Sequence, residues 1–148
     1  MALTDEIPDD TDVAFDTNAI IYYVENNARY RPQLGPLFEK LDTGVFRGHT
    51  SVITLLEVLV KPFADSDSRL ADRYRSTLNE SEFLTLHDTD VAISERAAAI
   101  RARLNLSVAD ALIASTAIET GCSHLIVNDN AFRRIEGINV LILDDFVG

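Results

Sequence analysis

The sequence predicts an α/β fold, in which a five-stranded, mostly parallel sheet is covered by helices on both faces. Short β-type runs alternate along the chain with longer segments of helical periodicity, and this alternation is typical of parallel sheets built from crossover connections. The run 124–127, HLIV, is apolar enough for a strand in the interior of such a sheet. The chain has 148 residues, of which 47% are hydrophobic, and this suits one domain with a substantial core.

Each predicted strand is a short run bounded by turn or helix signals. In chain order the strands are 12–15 (DVAF), 45–50 (VFRGHT), 82–87 (EFLTLH), 124–127 (HLIV) and 140–143 (VLIL). The predicted helices cover about 18–24, 32–44, 51–60, 66–80, 89–103 and 107–120. Pro32 and Pro36 mark the start of the second helix and Pro62 closes the third, because proline suits only the first turn of a helix. Gly121 stops the last helix in a typical C-terminal position.

The first eleven residues differ in composition from the rest of the chain. The opening MALTDEIPDDTD is acidic, contains proline and has no periodicity, which predicts an acidic, flexible N-terminal tail over 1–11. No repeat, low-complexity linker or change of composition follows. A single domain over 12–148 is therefore expected.

The charge and cysteine content restrict the class of function. The formal net charge is −11, from 24 acidic and 13 basic residues, which argues against broad, non-specific binding of nucleic acid and favours a bound cation or a basic partner. Cys122 is the single cysteine, so an internal disulfide is excluded and a cytoplasmic location is expected. No apolar run approaches the ~20 residues of a membrane span, and no signal peptide or membrane partner is expected.

Four acidic residues stand where their side chains can meet. Asp16 follows the first strand, and Asp129 follows the fourth. Glu57 lies in the helix after the second strand, and Asp110 lies one turn into the last helix. Ligands of open parallel sheets bind beyond the carboxyl ends of the strands, where the following helices also begin. All four carboxylates are therefore candidates for one site at that edge.

Each of these acids also has a structural interpretation. Asp16 can cap the helix that follows it, and Asp129 can be a turn residue. Ser107 with Asp110, and Thr54 with Glu57, have the spacing of a capping box. Glu57 fits this interpretation least, because it lies in the aliphatic segment 55–60, where partial burial of a charge is costly unless the charge is neutralised. An oxygen-rich cluster of this kind suits Mg²⁺ or Mn²⁺.

The order and surroundings of these acids resemble a known family. The segments VAFDTNAIIYYV, TSVITLLEVLV, LNLSVADALIASTAIETGC and LIVNDNAF are similar to the four signature segments of PIN-domain ribonucleases, and most of all to VapC toxins of toxin–antitoxin pairs. The resemblance covers about 12–148. It implies a three-layer α/β/α PIN-like domain and a metal-dependent endoribonuclease that cleaves single-stranded RNA. It also implies a homodimer and a VapB-like antitoxin partner, with DNA bound only through the antitoxin.

The resemblance assigns site residues position by position. The acidic residues Asp16, Glu57, Asp110 and Asp129 match the catalytic metal site for Mg²⁺ or Mn²⁺. Asn18 and Ser51 match polar residues that order this site. The family commonly has threonine two residues before the last aspartate, where this chain has Val127, and Asn128 is the candidate substitute for that hydroxyl.

An acidic protein that binds RNA needs local positive charge. Arg133 and Arg134 are the preferred candidates, because they follow Asp129 by only a few residues. Further arginines lie after the first helix and on the helix 66–80. For those on the helix 66–80, a solvated helix face is the preferred explanation. Tyr22 and Tyr23 can stack on bases, although such a pair is more typical of a core or a dimer interface.

Two other functions remain open from the residues. The chain can keep the fold and bind a metal or a partner without turnover, and Val127 favours this alternative. An aspartyl-phosphate phosphatase also places an aspartate after the first strand, but it requires a second one two residues later, where this chain has Asn18.

Overall fold

The computed structural model describes residues 1–148, and it confirms the predicted fold class. The strands are β1 (Asp12–Phe15), β2 (Arg47–Ser51), β3 (Leu84–His87), β4 (His124–Val127) and β5 (Asn139–Ile142). The helices are α1 (Thr17–Val24), α2 (Arg31–Asp42), α3 (Val52–Ala64), α4 (Ser68–Asn79), α5 (Val91–Arg103) and α6 (Val108–Glu119). Three short 3₁₀ turns cover Leu3–Glu6, Asn130–Arg134 and Leu143–Phe146. No helix combines the length and hydrophobicity that crossing a bilayer requires.

All five strands are parallel and lie in the order β3-β2-β1-β4-β5. The chain therefore starts in the middle of the sheet and adds strands first on one side and then on the other. β4 has β1 and β5 as neighbours, so HLIV is an interior strand as its composition predicts. The consequence for function is that β1 and β4, which carry two of the four acids at their ends, are adjacent.

Two cores cover the two faces of the sheet, because successive strand residues point to opposite sides. Phe15 and Ile126 belong to the core formed with α1, α2, α3 and α4. Ala14, Leu125 and Val127 belong to the core formed with α5 and α6. The sheet is thus the middle layer of three, as the resemblance implies.

The structure corrects the expectation for the first eleven residues. Leu3 is fully buried in the first core, together with Ile7. The backbone amide of Leu3 donates a hydrogen bond of 2.8 Å to the side-chain oxygen of Gln33 in α2. The segment is therefore packed on the domain, because its few apolar residues find places in the core despite the acidic residues around them.

Two proline positions also differ from the prediction. The third helix does not close at Pro62 but continues to Ala64, with the Pro62 ring buried. Pro36 lies inside α2, which begins at Arg31 and ends at Asp42. A proline inside a helix removes one backbone hydrogen bond, and here the packing of each helix on the core outweighs that loss.

Candidate active site

The carboxyl edge of the sheet brings the predicted acids to one region. Asp16 directly follows β1, and its backbone amide donates to the carbonyl of Ile126 in β4 at 3.0 Å, so the ladder continues to the end of the strand. Asp129 follows β4 after Asn128. α3 starts directly after β2, so Glu57 lies a little more than one turn from the same edge. The topology thus places these side chains around the carboxyl ends of β1, β2 and β4.

Asp16 is the buried member of the set, with 3% of its surface exposed. Its carboxylate caps α1 by accepting a hydrogen bond of 2.8 Å from the amide of Ala19. Burial raises the pKa of Asp16 to about 7, the amides of Ala19 and Asn128 oppose this rise, and the carboxylates of Asp110 and Glu57 add to it. No basic side chain offsets the burial. Asp16 therefore lacks the cation that a buried carboxylate normally has beside it.

Asp110 lies half-buried in the first turn of α6, where the buried Ala111 and Ala114 let the helix pack closely. Its backbone amide donates to the Ser107 hydroxyl at 3.1 Å, so Ser107 caps the helix. Burial raises the pKa of the Asp110 carboxyl, the Ser107 hydroxyl lowers it, and the charges of Asp129 and Glu57 raise it again. Asp110 thus shares its electrostatic environment with the other acids.

Glu57 is exposed, which corrects the expectation that it is buried in an apolar helix. On α3, Val58 is buried in the core, whereas Leu56 and Val60 lie on the outer side of the helix with 62% and 60% of their surface exposed. The Thr17 hydroxyl donates to Oε1 of Glu57 at 2.6 Å. The buried charge at this edge is therefore that of Asp16, and Glu57 is oriented by the residue next to Asp16.

The capping-box interpretation of Thr54 and Glu57 is wrong. Ser51 caps α3, because its hydroxyl accepts from the amide of Ile53 at 3.0 Å. The fully buried Thr54 instead contacts the Thr17 hydroxyl at 3.0 Å. Thr17 has one hydroxyl hydrogen, which it gives to Glu57, so Thr54 must be the donor to Thr17.

Asp129 is exposed and begins the 3₁₀ turn Asn130–Arg134, where its carboxylate accepts from the amide of Ala131 at 2.8 Å. Asp16 and Ser107 therefore cap the helices that follow them and Asp129 begins a turn, as the structural interpretation predicts. These roles do not exclude a site, because a capping carboxylate keeps a second oxygen free.

The donor set fits a hard divalent cation. All four candidates are carboxylates, and the neighbouring side chains of Ser51 and Thr17 add hydroxyl oxygens, which are ligands that Mg²⁺ and Mn²⁺ prefer. As the side chains stand, no three acidic or histidine groups lie close enough to hold one ion together. The acids share one edge and one electrostatic environment, but they are not assembled around a common point.

A family model described as PIN domain matches residues 13–138. The chain belongs to the PIN-domain family. The resemblance seen in the four sequence segments is thus confirmed at family level, and the match includes all four acids. No curated protein sequence matches this PIN domain significantly.

Three solved structures have a similar fold. VapBC-1 from nontypeable Haemophilus influenzae is 21% identical with a TM-score of 0.68, and the match covers 90% of this chain and 98% of that chain. VapBC2 from Rickettsia felis, bound to a DNA fragment from their promoter, is 21% identical with a TM-score of 0.65, covering 88% and 98%. VapC20 from Mycobacterium tuberculosis, described as a sarcin–ricin-loop-cleaving toxin, is 14% identical with a TM-score of 0.63, covering 76% and 86%. At these identities the likeness establishes the fold.

The predicted polar residues take different places in the PIN domain. Ser51 caps α3 at the end of β2. The Asn128 side chain joins three elements, because it accepts from the amide of Asp144 at 2.9 Å and donates to the Tyr22 hydroxyl at 3.4 Å. Asn18 lies half-buried in the first turn of α1, and its ordering role stays a prediction.

The two preferred arginines separate in space. Arg133 is bound by Oδ1 of Asn130 at 2.8 Å and by Asp145 at 2.7 Å, in the turn that follows β5. Arg134 lines a depression together with Ile118, which lies near the far end of α6 from Asp110. Asn130 and Asp145 thus hold Arg133 on the carboxyl side of β5, although Arg133 also lines a depression that reaches His124 and Asn139 at the amino ends of β4 and β5. Arg134 lies beside α5 and α6, at the end of α6 that is far from Asp110.

Thr17 is the residue that sequence reasoning missed. It stands between Asp16 and Asn18 in the DTN motif, and its side chain bonds both Glu57 and Thr54 of α3. The only sequence signal was its position inside a motif already singled out. Its partner is 40 residues away, and no local pattern indicates a contact at that separation.

Proposed function

We propose that this PIN domain is a metal-dependent endoribonuclease that cleaves phosphodiester bonds of single-stranded RNA, as the toxin of a type II toxin–antitoxin system in the cytoplasm. One observation carries the proposal: four elements direct carboxylates to one sheet edge, and the innermost, Asp16, is buried without a basic partner. A structural carboxylate in such a place is normally paired with a cation of the protein. A site for a divalent ion explains the missing partner.

Asp16, Glu57 and Asp110 would hold Mg²⁺ or Mn²⁺, with Asp129 in a second or outer position. When bound, the ion supplies an activated water and neutralises charge that develops on the phosphate. Asp16 contributes a fixed carboxylate, because the Ala19 amide holds one of its oxygens. Thr17 holds Oε1 of Glu57 and leaves the second oxygen of Glu57 for the site. Arg133 would approach the phosphate backbone once Asp145 releases it.

The partner is proposed to be a VapB-like antitoxin, with DNA bound only through it. Three lines support this: the resemblance of the four segments to VapC toxins, the VapBC complexes with the same fold and the net charge of −11. An acidic edge attracts a basic segment of a partner, and the same segment would compete with RNA.

The toxin is further proposed to be a homodimer through α3. Leu56, Val60 and Phe63 on this helix are exposed, with Phe63 at 57%, and clustered exposed aliphatic and aromatic side chains are typical of association surfaces. Sedimentation of the wild type should give a dimer, and Leu56→Glu should give a monomer with unchanged circular dichroism. A monomeric wild type would contradict the homodimer alone.

The decisive test of the proposed activity is RNA cleavage by the purified protein. We expect cleavage of unstructured RNA with Mn²⁺ or Mg²⁺, none with EDTA, and a loss of about a thousandfold in Asp16→Asn. Asp12→Asn is the matched control, because it makes the same chemical change at the other end of β1, where Arg47 and His49 bind the carboxylate. Equal loss in both variants, or cleavage that survives in Asp16→Asn, would contradict the proposal.

The second candidate is a PIN-fold module that binds a metal or a partner without turnover. Two observations favour it: the fully buried Val127 stands where the family commonly has threonine, and the acids are not assembled around one point. Mn²⁺ binding by calorimetry without RNA cleavage under any of the conditions above would select this function.

A further inference from the structure

Two stacked tyrosines stand beside the acidic edge. Tyr22 of α1 and Tyr30, which directly precedes α2, have nearly parallel rings with centroids 4.2 Å apart. Both rings are partly buried against the first core. The Arg29 guanidinium lies 5.7 Å from the centre of the Tyr30 ring. Tyr30 therefore has Tyr22 stacked on its ring and the long, flexible side chain of Arg29 beside it, and it remains partly exposed.

Asn128 connects this stack to Asp16. Its backbone amide acts on the Asp16 carboxylate, and its side-chain nitrogen donates to the Tyr22 hydroxyl. The Tyr30 hydroxyl donates to Asp144 at 2.6 Å, and the amide of Asp144 in turn donates to Asn128. The Tyr22 hydroxyl thus contacts Asn128 directly, and the Tyr30 hydroxyl is linked to Asn128 through Asp144, so hydrogen bonds orient both rings next to the edge.

Arg29 is held only weakly. Its guanidinium lies 3.7 Å from Asp144, with 59% and 52% of the two side chains exposed. An exposed ion pair of this length contributes little to stability. Arg29 can therefore leave Asp144 and the Tyr30 ring without measurable cost to the fold, which makes both the cation and the ring face available to a ligand.

We propose that Tyr30 is a base-stacking subsite for RNA and that Arg29 binds the phosphate of the nucleotide stacked there. The proposal rests on the proposed function, since it places a nucleotide next to the one cleaved at the acids. Stacking suits this protein, because it provides affinity for a single strand without adding positive charge to a chain of net charge −11. It is tolerant of sequence and requires an unpaired base, so it selects single-stranded substrate.

A purely structural role for Tyr30 predicts different behaviour. In that case the ring only joins α1 to α2, and RNA does not change its surroundings. The chain contains no tryptophan, so Tyr30→Trp introduces a single fluorophore at the proposed subsite. A base stacked on an indole quenches its emission, and the readout needs no turnover.

The experiment uses Tyr30→Trp in the full-length Asp16→Asn protein, titrated with a short single-stranded oligoribonucleotide. We expect saturable quenching by this RNA, and none by a duplex or by an abasic oligomer with the same backbone. Tyr23→Trp is the matched control, because Tyr23 lies on the same helix as Tyr22 but stacks on Phe38 of the core; its emission should not respond. No quenching in Tyr30→Trp, or equal quenching by the abasic oligomer or in the control, would overturn the subsite.

Kinetics of cleavage give a second measurement. Tyr30→Leu keeps an apolar side chain but removes the stacking face, and we expect KM for RNA to rise about ten- to a hundredfold while kcat stays within about twofold. Tyr30→Phe keeps the aromatic ring, so this variant should have a KM close to that of the wild type. A fall in kcat with unchanged KM would overturn the subsite. Quenching in a protein that never cleaves RNA would leave the subsite intact and contradict only the nuclease function.

Discussion

The two ends of β1 carry aspartates in opposite situations. Asp12 begins the strand and Asp16 directly follows its last residue, and the period of two places both side chains on the same face of the sheet. Arg47 binds both oxygens of Asp12, at 3.0 Å and 3.1 Å, and His49 binds it at 2.8 Å. Arg47 and His49 therefore hold the pKa of Asp12 below its usual range. Asp16 has no such cation, and burial raises its pKa to about 7.

The difference separates an acid with a structural role, Asp12, from the acid that is proposed to bind a metal ion, Asp16. Asp12 belongs to a chain of contacts that continues from His49 to His87 at 2.8 Å across β1, β2 and β3. Every charge in that chain has a partner, so the chain stabilises the sheet. Asp16 is left with an uncompensated cost, which a purely structural carboxylate would not retain. Four variants test whether this contrast is real.

The largest expected effect is on the pH dependence of stability. The pKa of Asp16 is raised in the folded protein. Its contribution to the free energy of unfolding is therefore fully present below about pH 4 and is lost as the pH rises through about 7. Asp16→Asn removes this loss and keeps an N-cap. We expect the variant to be more stable than the wild type by on the order of a few kcal/mol at pH 8, and equally stable at pH 4. Urea unfolding without divalent ions measures the difference; a pH-independent difference would contradict it.

Glu57→Gln tests whether the acidic edge binds an ion. The fold should be unchanged, because Glu57 is exposed and Gln can still accept from Thr17. We expect Mn²⁺ affinity to fall by about ten- to a hundredfold in calorimetry. Glu39→Gln, an exposed residue of α2, makes the same change of charge away from the edge and should bind as the wild type. Unchanged binding in Glu57→Gln would remove Glu57 from the site.

Asp12→Asn should show the opposite sign to Asp16→Asn. The pKa of Asp12 is lowered in the folded protein. Its contribution to the free energy of unfolding is therefore present above about pH 4 and is lost as the pH falls through the lowered pKa. We expect the variant to lose about 1 kcal/mol of unfolding free energy at pH 7, and we expect this difference to shrink as the pH falls below about 4. A stabilised Asp12→Asn at pH 7 would show that Arg47 and His49 do not compensate the charge.

Val127→Thr has the smallest expected effect. Val127 adjoins Asp16 on the neighbouring strand, and strand alternation puts both side chains on the α6 face. A hydroxyl there can donate to Asp16, so we expect a gain of about two- to fivefold in Mn²⁺ affinity, with a change in unfolding free energy below about 1 kcal/mol. Val127→Ala shortens the same side chain without adding a donor and should lower stability only. Equal affinity in both variants would show that no hydroxyl is missing.

Much of the fold is predictable because its signals are local. β1 and β4 have the predicted bounds, since short apolar runs followed by polar residues define them. The packing of the N-terminal segment on the domain was not predictable. Leu3 and Ile7 are isolated apolar residues in an acidic stretch, and their burial depends on contacts with α2. Pro36 and Pro62 did not predict the ends of α2 and α3, because tertiary packing determines the length of these helices.

The location of the candidate acids at one edge of the sheet was more predictable than their exposure and their contacts. The edge of the sheet follows from alternating strands and helices, so Asp16 and Asp129 could be placed together from the sequence. The exposure of Glu57 could not, because α3 is apolar on two sides and sequence does not tell which side meets the core. The contact of Thr17 with α3 depends on how two helices pack, which no periodicity records.

The hydroxyl of Thr17 links two of the four acids at the sheet edge. It ties the start of α1 to α3 and so positions Glu57 relative to Asp16. Asp129 is linked to Asp16 through its neighbour Asn128, whose backbone amide acts on the Asp16 carboxylate. Asp110 is held within its own element by Ser107. Asp110 is therefore the acid whose position depends least on the other three.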